Sequence, residues 1–294
     1  MVYNSLKKIF PKDFLIKNEV FFRKFIYIFY LGNQHQCPVC NRKFRKFILN
    51  QRGEKLCPSC GSMPRDRRLF TEFKKEFDGQ RNVKLLDFSP SRSLYRRLKK
   101  ISQIQYFPTD LSTDFISEYQ YDISKIPVED HFFDFIFCYH ILEHIDQDSV
   151  AMRELKRVLK PEGRIFVQTP FKQGEIYENP NVKTKAERLL HFGQEDHVRI
   201  YSVAGLKKRL QDVGFQVDVK VYDKMRSTGS YEPVLLISFI CFGYLLMLRI
   251  ESMQSPPITE KIMETIKMLE KPKREITAAA ITGAIACVTV LPRL

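Results

Sequence analysis

VKLLDFSPSRSLYRRLKKISQIQYFPTD, running from Val83 to Asp110, decides the fold class. Val83–Phe88 is a short apolar run that reads as a buried strand. In Ser91–Ile101, Leu94, Leu98 and Ile101 fall at helical core spacing, and Ser91 is placed to cap the helix. Ile104–Asp110 reads as a second strand. A strand, a helix and a strand in so short a span form the repeating unit of an α/β fold with a parallel sheet. The pattern continues outward. A third, short strand is expected near Tyr121–Ser124 and a fourth at Phe132–Tyr139. An amphipathic helix at Asp148–Lys160 is stopped by Pro161, and a fifth strand follows at Gly163–Pro170. After a polar connection, Ser202–Phe215 reads as a helix ended by Gly214, and Phe215–Tyr222 alternates like a half-buried strand. A seventh strand is placed within Pro233–Phe242.

The chain has 294 residues, 44% of them hydrophobic and 28% charged, which excludes disordered and collagen-like classes. Its net charge is +14, of which residues 1–80 contribute +10. A basic patch at that end suits a polyanion: nucleic acid, an anionic membrane surface or a phosphorylated substrate. The alternative is a solvated basic surface. No secretory signal is visible, because Arg23 and Lys24 interrupt the apolar stretch Val20–Leu31. Val234–Leu248 and Ile276–Leu291 are uncharged runs of 15 and 16 residues, short of the roughly 20 that a spanning helix needs. The expected location is cytoplasmic, with peripheral membrane contact of the tail as a lesser alternative. The oligomeric state is open.

Seven cysteines are present. Cys37 and Cys40 form one CxxC pair, Cys57 and Cys60 a second, sixteen residues on. Each pair is a knuckle offering two thiolates, and two knuckles complete a closed tetrahedron suited to structural Zn²⁺. Redox CxxC pairs are the competing reading. Cys138, Cys241 and Cys287 sit singly in apolar stretches, a pattern of reducing compartments. Arg42, Lys43, Arg45, Lys46, Arg65, Arg67 and Arg68 decorate the cysteine module, either to meet phosphate or to face solvent.

Open parallel sheets bind ligands at the carboxyl ends of their strands. Asp87, Asp110, Asp122 and Glu143 fall there. Asp110 lies 23 residues beyond Asp87, close to the interval at which a second-strand acid accepts hydrogen bonds from a ribose diol.

The run from Tyr121 to Phe171 holds D-I-x-x-I-P, F-D-F-I-F-C-Y-H-I-L-E-H-I and R-V-L-K-P-E-G. It resembles the core of class I S-adenosylmethionine-dependent methyltransferases. From Cys37 to about Val221 the chain looks like a subgroup that joins a four-cysteine zinc ribbon to such a domain, with CPSCGSMPRDRRL leading in and FGQEDHVRIY following later. The resemblance implies a Rossmann-like seven-stranded methyltransferase sheet with helices on both faces, preceded by the small ribbon. The expected division is a basic aromatic segment at 1–33, the ribbon at 34–66, the methyltransferase domain at 67–245 and a tail at 246–294. By position, Asp87, Ser89 and Ser91 would form the first-motif loop at the methionine part of S-adenosyl-L-methionine, and Asp110 would bind the ribose. Asp122 and Ile123 would flank the adenine, and Cys138 would lie beside the sulfonium. In the usual first motif, D-x-G-x-G, glycines let the backbone approach the ligand; here it reads Asp87-Phe88-Ser89-Pro90-Ser91.

His140 and His197 are the candidate bases, since imidazole titrates near neutral pH. Asp196 could orient His197 and Arg199 could hold an anionic group of the substrate; alternatively this cluster is a structural knot. The expected activity is methyl transfer to a small-molecule or carbohydrate-like acceptor. The alternatives are an RNA methyltransferase docking through its basic ribbon, and a non-catalytic relative that keeps only the fold. A nicotinamide dehydrogenase fits poorly, because G-x-G-x-x-G is missing after Val83–Phe88.

Overall fold

The computed structural model describes residues 14, 18–50, 52–77, 79, 81–112, 115–222 and 285–292. Its central sheet is built on β5 (Val83–Phe88), β6 (Ile104–Thr109), β7 (Phe133–Tyr139) and β8 (Leu159–Lys172), which pair in parallel. β11 (Phe215–Tyr222) and β12 (Ile285–Pro292) complete a six-strand path in the order β11-β12-β8-β7-β5-β6, and β9 (Tyr177–Glu178) pairs antiparallel with β10 (Arg199–Ser202), which joins the end of β8 in parallel. The parallel strands are largely apolar on both faces because both faces are covered. Leu86, Ile136, Ile165 and Val167 pack under α4 (Asp148–Val158) and α6 (Val203–Asp212), against Met152, Leu155, Leu206 and Leu210. Leu85, Phe135, Phe137 and Phe166 point the other way, to Leu69, Phe70 and Phe73 of α2 (Pro64–Glu76). There the Phe73 ring meets those of Phe135 and Phe137 edge-on, with centroids 5.1 and 5.4 Å away.

Local chemistry sets the element ends. Ser91 caps α3 (Arg92–Leu98), its Oγ accepting from Leu94 N at 3.3 Å. Ser202 caps α6 in the same way, accepting from Gly205 N. α5 (Lys185–Phe192) occupies the connection that reads as polar from sequence. Thr184 and Glu187 form its capping box, and Gly193 closes it at φ 81°.

Three departures from expectation have physical reasons. The third strand, near Tyr121–Ser124, is a turn: Asp122 Oδ1 accepts from Ser124 N and its carbonyl from Lys125 N, leaving two isolated bridges. The described sheet path therefore has six strands. α4 stops at Val158, not Lys160, because Leu159 pairs with Phe133 and begins β8 ahead of Pro161. The seventh strand expected within Pro233–Phe242 lies outside the described residues, as do the Val234–Leu248 run and most of the expected tail. Within that tail, however, Ile285–Pro292 inserts antiparallel between β8 and β11, with Val288 opposite both Val167 and Val219. No helix among the described residues is long and apolar enough to cross a membrane.

The cysteine module consists of two small hairpins, β1 (His35–Gln36) with β2 (Lys43–Phe44), and β3 (Ile48–Leu49) with β4 (Lys55–Leu56). It is not a separate bead. Cys37, Val39, Phe44 and Cys57 share one apolar cluster with Phe70, Phe73 and the sheet. Ahead of it, α1 (Glu19–Ile28) sends Glu19 to Arg92 and Arg96 of α3 at 2.8 and 3.1 Å.

Candidate functional site

The four cysteine sulfurs lie within 4.8 Å of one another. Equivalent backbone turns place them. Asn41 N donates to Cys37 O and Gly61 N to Cys57 O, and both donors adopt left-handed backbone, φ 61° and 80°. A side chain at Gly61 would displace only the flexible end of Arg23, so it is the left-handed angle that calls for glycine in the second knuckle. Ser62 Oγ lies 3.3 Å from Cys37 Sγ and 3.2 Å from Cys60 Sγ. Hydrogen bonds within the group push the Cys37 thiol down and the Cys60 thiol up. Four thiolates this close repel one another, and a dication lets them all ionise together. The donor set therefore fits a closed, structural Zn²⁺ site held by Cys37, Cys40, Cys57 and Cys60.

The second site opens at the carboxyl ends of β5, β6, β7 and β8. Asp87 ends β5 with its carboxylate buried, accepting from Tyr106 Oη at 2.7 Å. Burial pushes it up to about 7. Ser89 follows at φ 49°, left-handed backbone that glycine normally supplies. The glycine-free loop thus keeps a glycine-type turn. From it, Ser89 Oγ donates to Asp110 Oδ1 at 2.7 Å, and Ser112 Oγ donates to Oδ2 at 2.9 Å. Ser91 turns back into its own helix and bonds Ser93, which reaches Asp66 of α2 at 3.0 Å.

Beyond β7 the chain makes a second strained turn. His140 holds φ 58°, donates its backbone N–H to Gln168 O at 2.7 Å, and sets Nδ1 3.2 Å from Glu143 Oε1. Glu143 lies in a short 3₁₀ turn, Leu142–His144, and its side chain is 1% exposed. Seven buried side-chain polar atoms lack a partner among the described residues. Four of them cluster here: His140 Nε2, Glu143 Oε2, and Nε2 and Oε1 of Gln168. Buried polar atoms left open are costly and mark places where a ligand completes the bonding. Strained backbone at adjacent strand ends marks the same place.

The structure brings Asp87, Ser89, Asp110 and His140 to one end of the sheet, and sends other expected site residues elsewhere. Asp122 is exposed in its turn. Ile123 and Cys138 are buried in the apolar cluster, so what they can present to a ligand is main chain. Arg199, expected to hold a substrate anion, is 5% exposed and committed within the protein. It donates to Glu178 Oε2 and to the carbonyls of Leu142, Ile145 and Asp146. Asp196 pairs with His144 Nδ1 at 3.1 Å. His197, expected to be oriented by Asp196, packs its ring edge-on to His144 at 4.7 Å and is 3% exposed. That burial lowers its pKa. Gln168 was not singled out from sequence; its one signal is an amide inside the apolar run IFVQTP.

The fold and this site define an open α/β protein with a crevice at the carboxyl ends of its first strands, the place where folds of this kind bind ligands. Residues 64–219 match the methyltransferase domain family. That is more than half of the chain, and the chain belongs to this family. No curated protein matches it. Similar solved structures include a protein described as a candidate sarcosine dimethylglycine methyltransferase from Galdieria sulphuraria, 17% identical over 54% of this chain and 64% of that one, with TM-score 0.40. The [4+2]-cyclase SpnF is 20% identical over 55% of this chain and 61% of that one, with TM-score 0.40. A SAM-dependent methyltransferase from Archaeoglobus fulgidus is 14% identical over 76% and 93%, with TM-score 0.45. The chain spans less than two thirds of the first two.

Proposed function

We propose that the protein transfers a methyl group from S-adenosyl-L-methionine to a small-molecule or carbohydrate-like acceptor. The observation that carries this reading is the Ser89–Asp110 pair. A left-handed turn at the end of β5 holds a hydroxyl against a carboxylate at the end of β6, where a ribose diol would take over the bonds that Ser89 and Ser112 now make. When bound, the cofactor supplies an electrophilic methyl group on a sulfonium. Asp110 binds and orients it. His140, at the end of the neighbouring strand, lies where an acceptor would approach, and its open Nε2 accepts the acceptor's proton as the new bond forms. Glu143 fixes the ring through Nδ1. Alignment of acceptor and methyl group supplies most of the acceleration.

The basic ribbon gives less support to an RNA acceptor. Arg45 is spent on Phe29 O, Arg67 on the carbonyls of Ser62 and Lys55, and Arg42 lies over the Tyr27 ring at 5.0 Å. These charges hold the module together, which leaves fewer for phosphates.

Calorimetric titration of the zinc-loaded protein with S-adenosylhomocysteine tests the proposal. The expected result is saturable binding, at least tenfold weaker in Asp110→Ala. Absence of binding in a folded protein would overturn it. Binding of RNA with a steep salt dependence would redirect the acceptor assignment.

A further inference from the structure

Glu143, His144 and His197 are not needed for the ribose contact, yet they form a group of their own. One ligand atom from each lies within 4.8 Å of the others. The fold assembles them deliberately. Val198 N donates to Glu143 O at 2.9 Å, which pins the segment carrying His197 across the 3₁₀ turn.

Two further observations point to an ion. Glu143 is 1% exposed, and its Oε2 has no partner among the described residues. A buried carboxylate without a fixed counter-charge is costly: Glu143 Oε1 meets His140 Nδ1 at 3.2 Å, and the Arg199 guanidinium, which bonds the carbonyls of this turn, is committed to Glu178 and to main chain. Both histidines are also braced from behind. His144 Nδ1 faces the Asp196 carboxylate at 3.1 Å, and His197 hydrogen-bonds the backbone at Phe192. Metal-ligating histidines typically carry such a brace, because an oxygen acceptor on one ring nitrogen fixes the tautomer and aims the other. Asp196, itself 68% exposed, gains a role on this reading that its position does not otherwise explain.

We infer that Glu143, His144 and His197 form a second metal site, for a divalent first-row transition cation. Two imidazoles and one carboxylate suit Mn²⁺, Fe²⁺, Co²⁺ or Zn²⁺ rather than Ca²⁺. Three protein ligands leave coordination positions open for water or an oxygen donor of a bound small molecule, in contrast to the closed cysteine site. His140, whose Nδ1 shares the Glu143 carboxylate, lies beside those open positions. The inference goes beyond methyl transfer and does not depend on it.

The test is titration of the full-length protein, carrying one Zn²⁺ per chain, with Mn²⁺, following loss of the free-ion electron paramagnetic resonance signal. The expected result is one Mn²⁺ per chain in the parent protein. In Glu143→Gln, His144→Ala and His197→Ala the affinity falls at least tenfold, while Lys208→Ala, which changes a distant surface pair, leaves it unchanged. If the buried Glu143 and His197 variants fail to fold, His144→Ala, whose ring is partly exposed, decides alone. No binding by the parent, or equal binding by a folded His144→Ala, overturns the site. S-adenosylhomocysteine is titrated into the same samples. Its binding without Mn²⁺ removes the cation site and leaves methyl transfer standing; Mn²⁺ binding without it does the reverse.

Discussion

Asp87 and Ser89 show how much one residue can hold at this crevice. The buried Asp87 carboxyl is pushed up to about 7, so the folded protein keeps a proton that the unfolded chain releases near pH 4. Stability therefore falls as pH rises from about 4 to about 7, because over that window the native state binds more protons. Asp87→Asn should flatten this slope in urea titrations at pH 5 and 8; an unchanged slope would place the effect elsewhere. If the cofactor's ammonium meets Asp87, binding should also tighten across the same window and release a proton. Calorimetry in buffers of different ionisation enthalpy reads that directly. Ser89 keeps φ 49° at a cost of about 1 kcal/mol for a residue with a side chain. Ser89→Gly should bind S-adenosylhomocysteine at least as tightly as the parent. Ser89→Val, whose branched side chain resists this backbone, should weaken binding at least tenfold.

At this scale the sequence was partly legible. Cysteine spacing and the interval from Asp87 to Asp110 are local patterns, and the structure brings both sets together as read. Arg199, Asp196 and Gln168 were not legible in their observed roles. Their partners lie on segments far away in the chain: Arg199 bonds carbonyls more than fifty residues earlier, and Asp196 meets His144 across the crossing that Val198 pins. No periodicity records which loop will lie over which.

Elements read more easily from sequence than their boundaries. β5, α3 and β6 fall where VKLLDF, the Ser91 cap and IQYFPTD put them, with α3 ending at Leu98 instead of Ile101 and β6 at Thr109 instead of Asp110. α5 has a capping box that could have been read, Thr184 to Glu187, but its helical face is short and mostly exposed. The ribbon carries the testable consequence at this scale. Cys37 and Cys57 share their apolar cluster with Phe70 and Phe73, and Arg96 of α3 donates to Cys60 O at 3.0 Å. Ribbon and sheet should therefore unfold together. Stripping metal with a chelator, or changing Cys40 to Ser, should remove at least ~3 kcal/mol and lower a single melting transition by about 6–12 °C. Calorimetry that resolved two independent transitions would show the ribbon to be a separate unit.

For the whole molecule, the decisive strand is the one that sequence reading assigned to a tail. β12 pairs along its length with β11 and β8, and its alternating IACVTVLP suits that place; the long interval before it hid the connection. A chain cut after residue 222 should retain the parallel strands and expose the β8 edge. It should associate in solution, as light scattering would detect, because an open apolar edge invites pairing with other chains. A truncated chain that stayed monodisperse would show that β12 is dispensable.

The position of β12 also bears on how the protein is made. Phe215 pairs with Pro292, and Pro170 with Ile285, so the side of the sheet beyond β8 must wait for residues synthesised long after its neighbours. While the ribosome is still translating, β8 and β11 have emerged with a strand-wide gap between them. Closure waits for β12, and a nascent chain that stalls before residue 285 displays its defect on the sheet itself, where a chaperone or protease can read it.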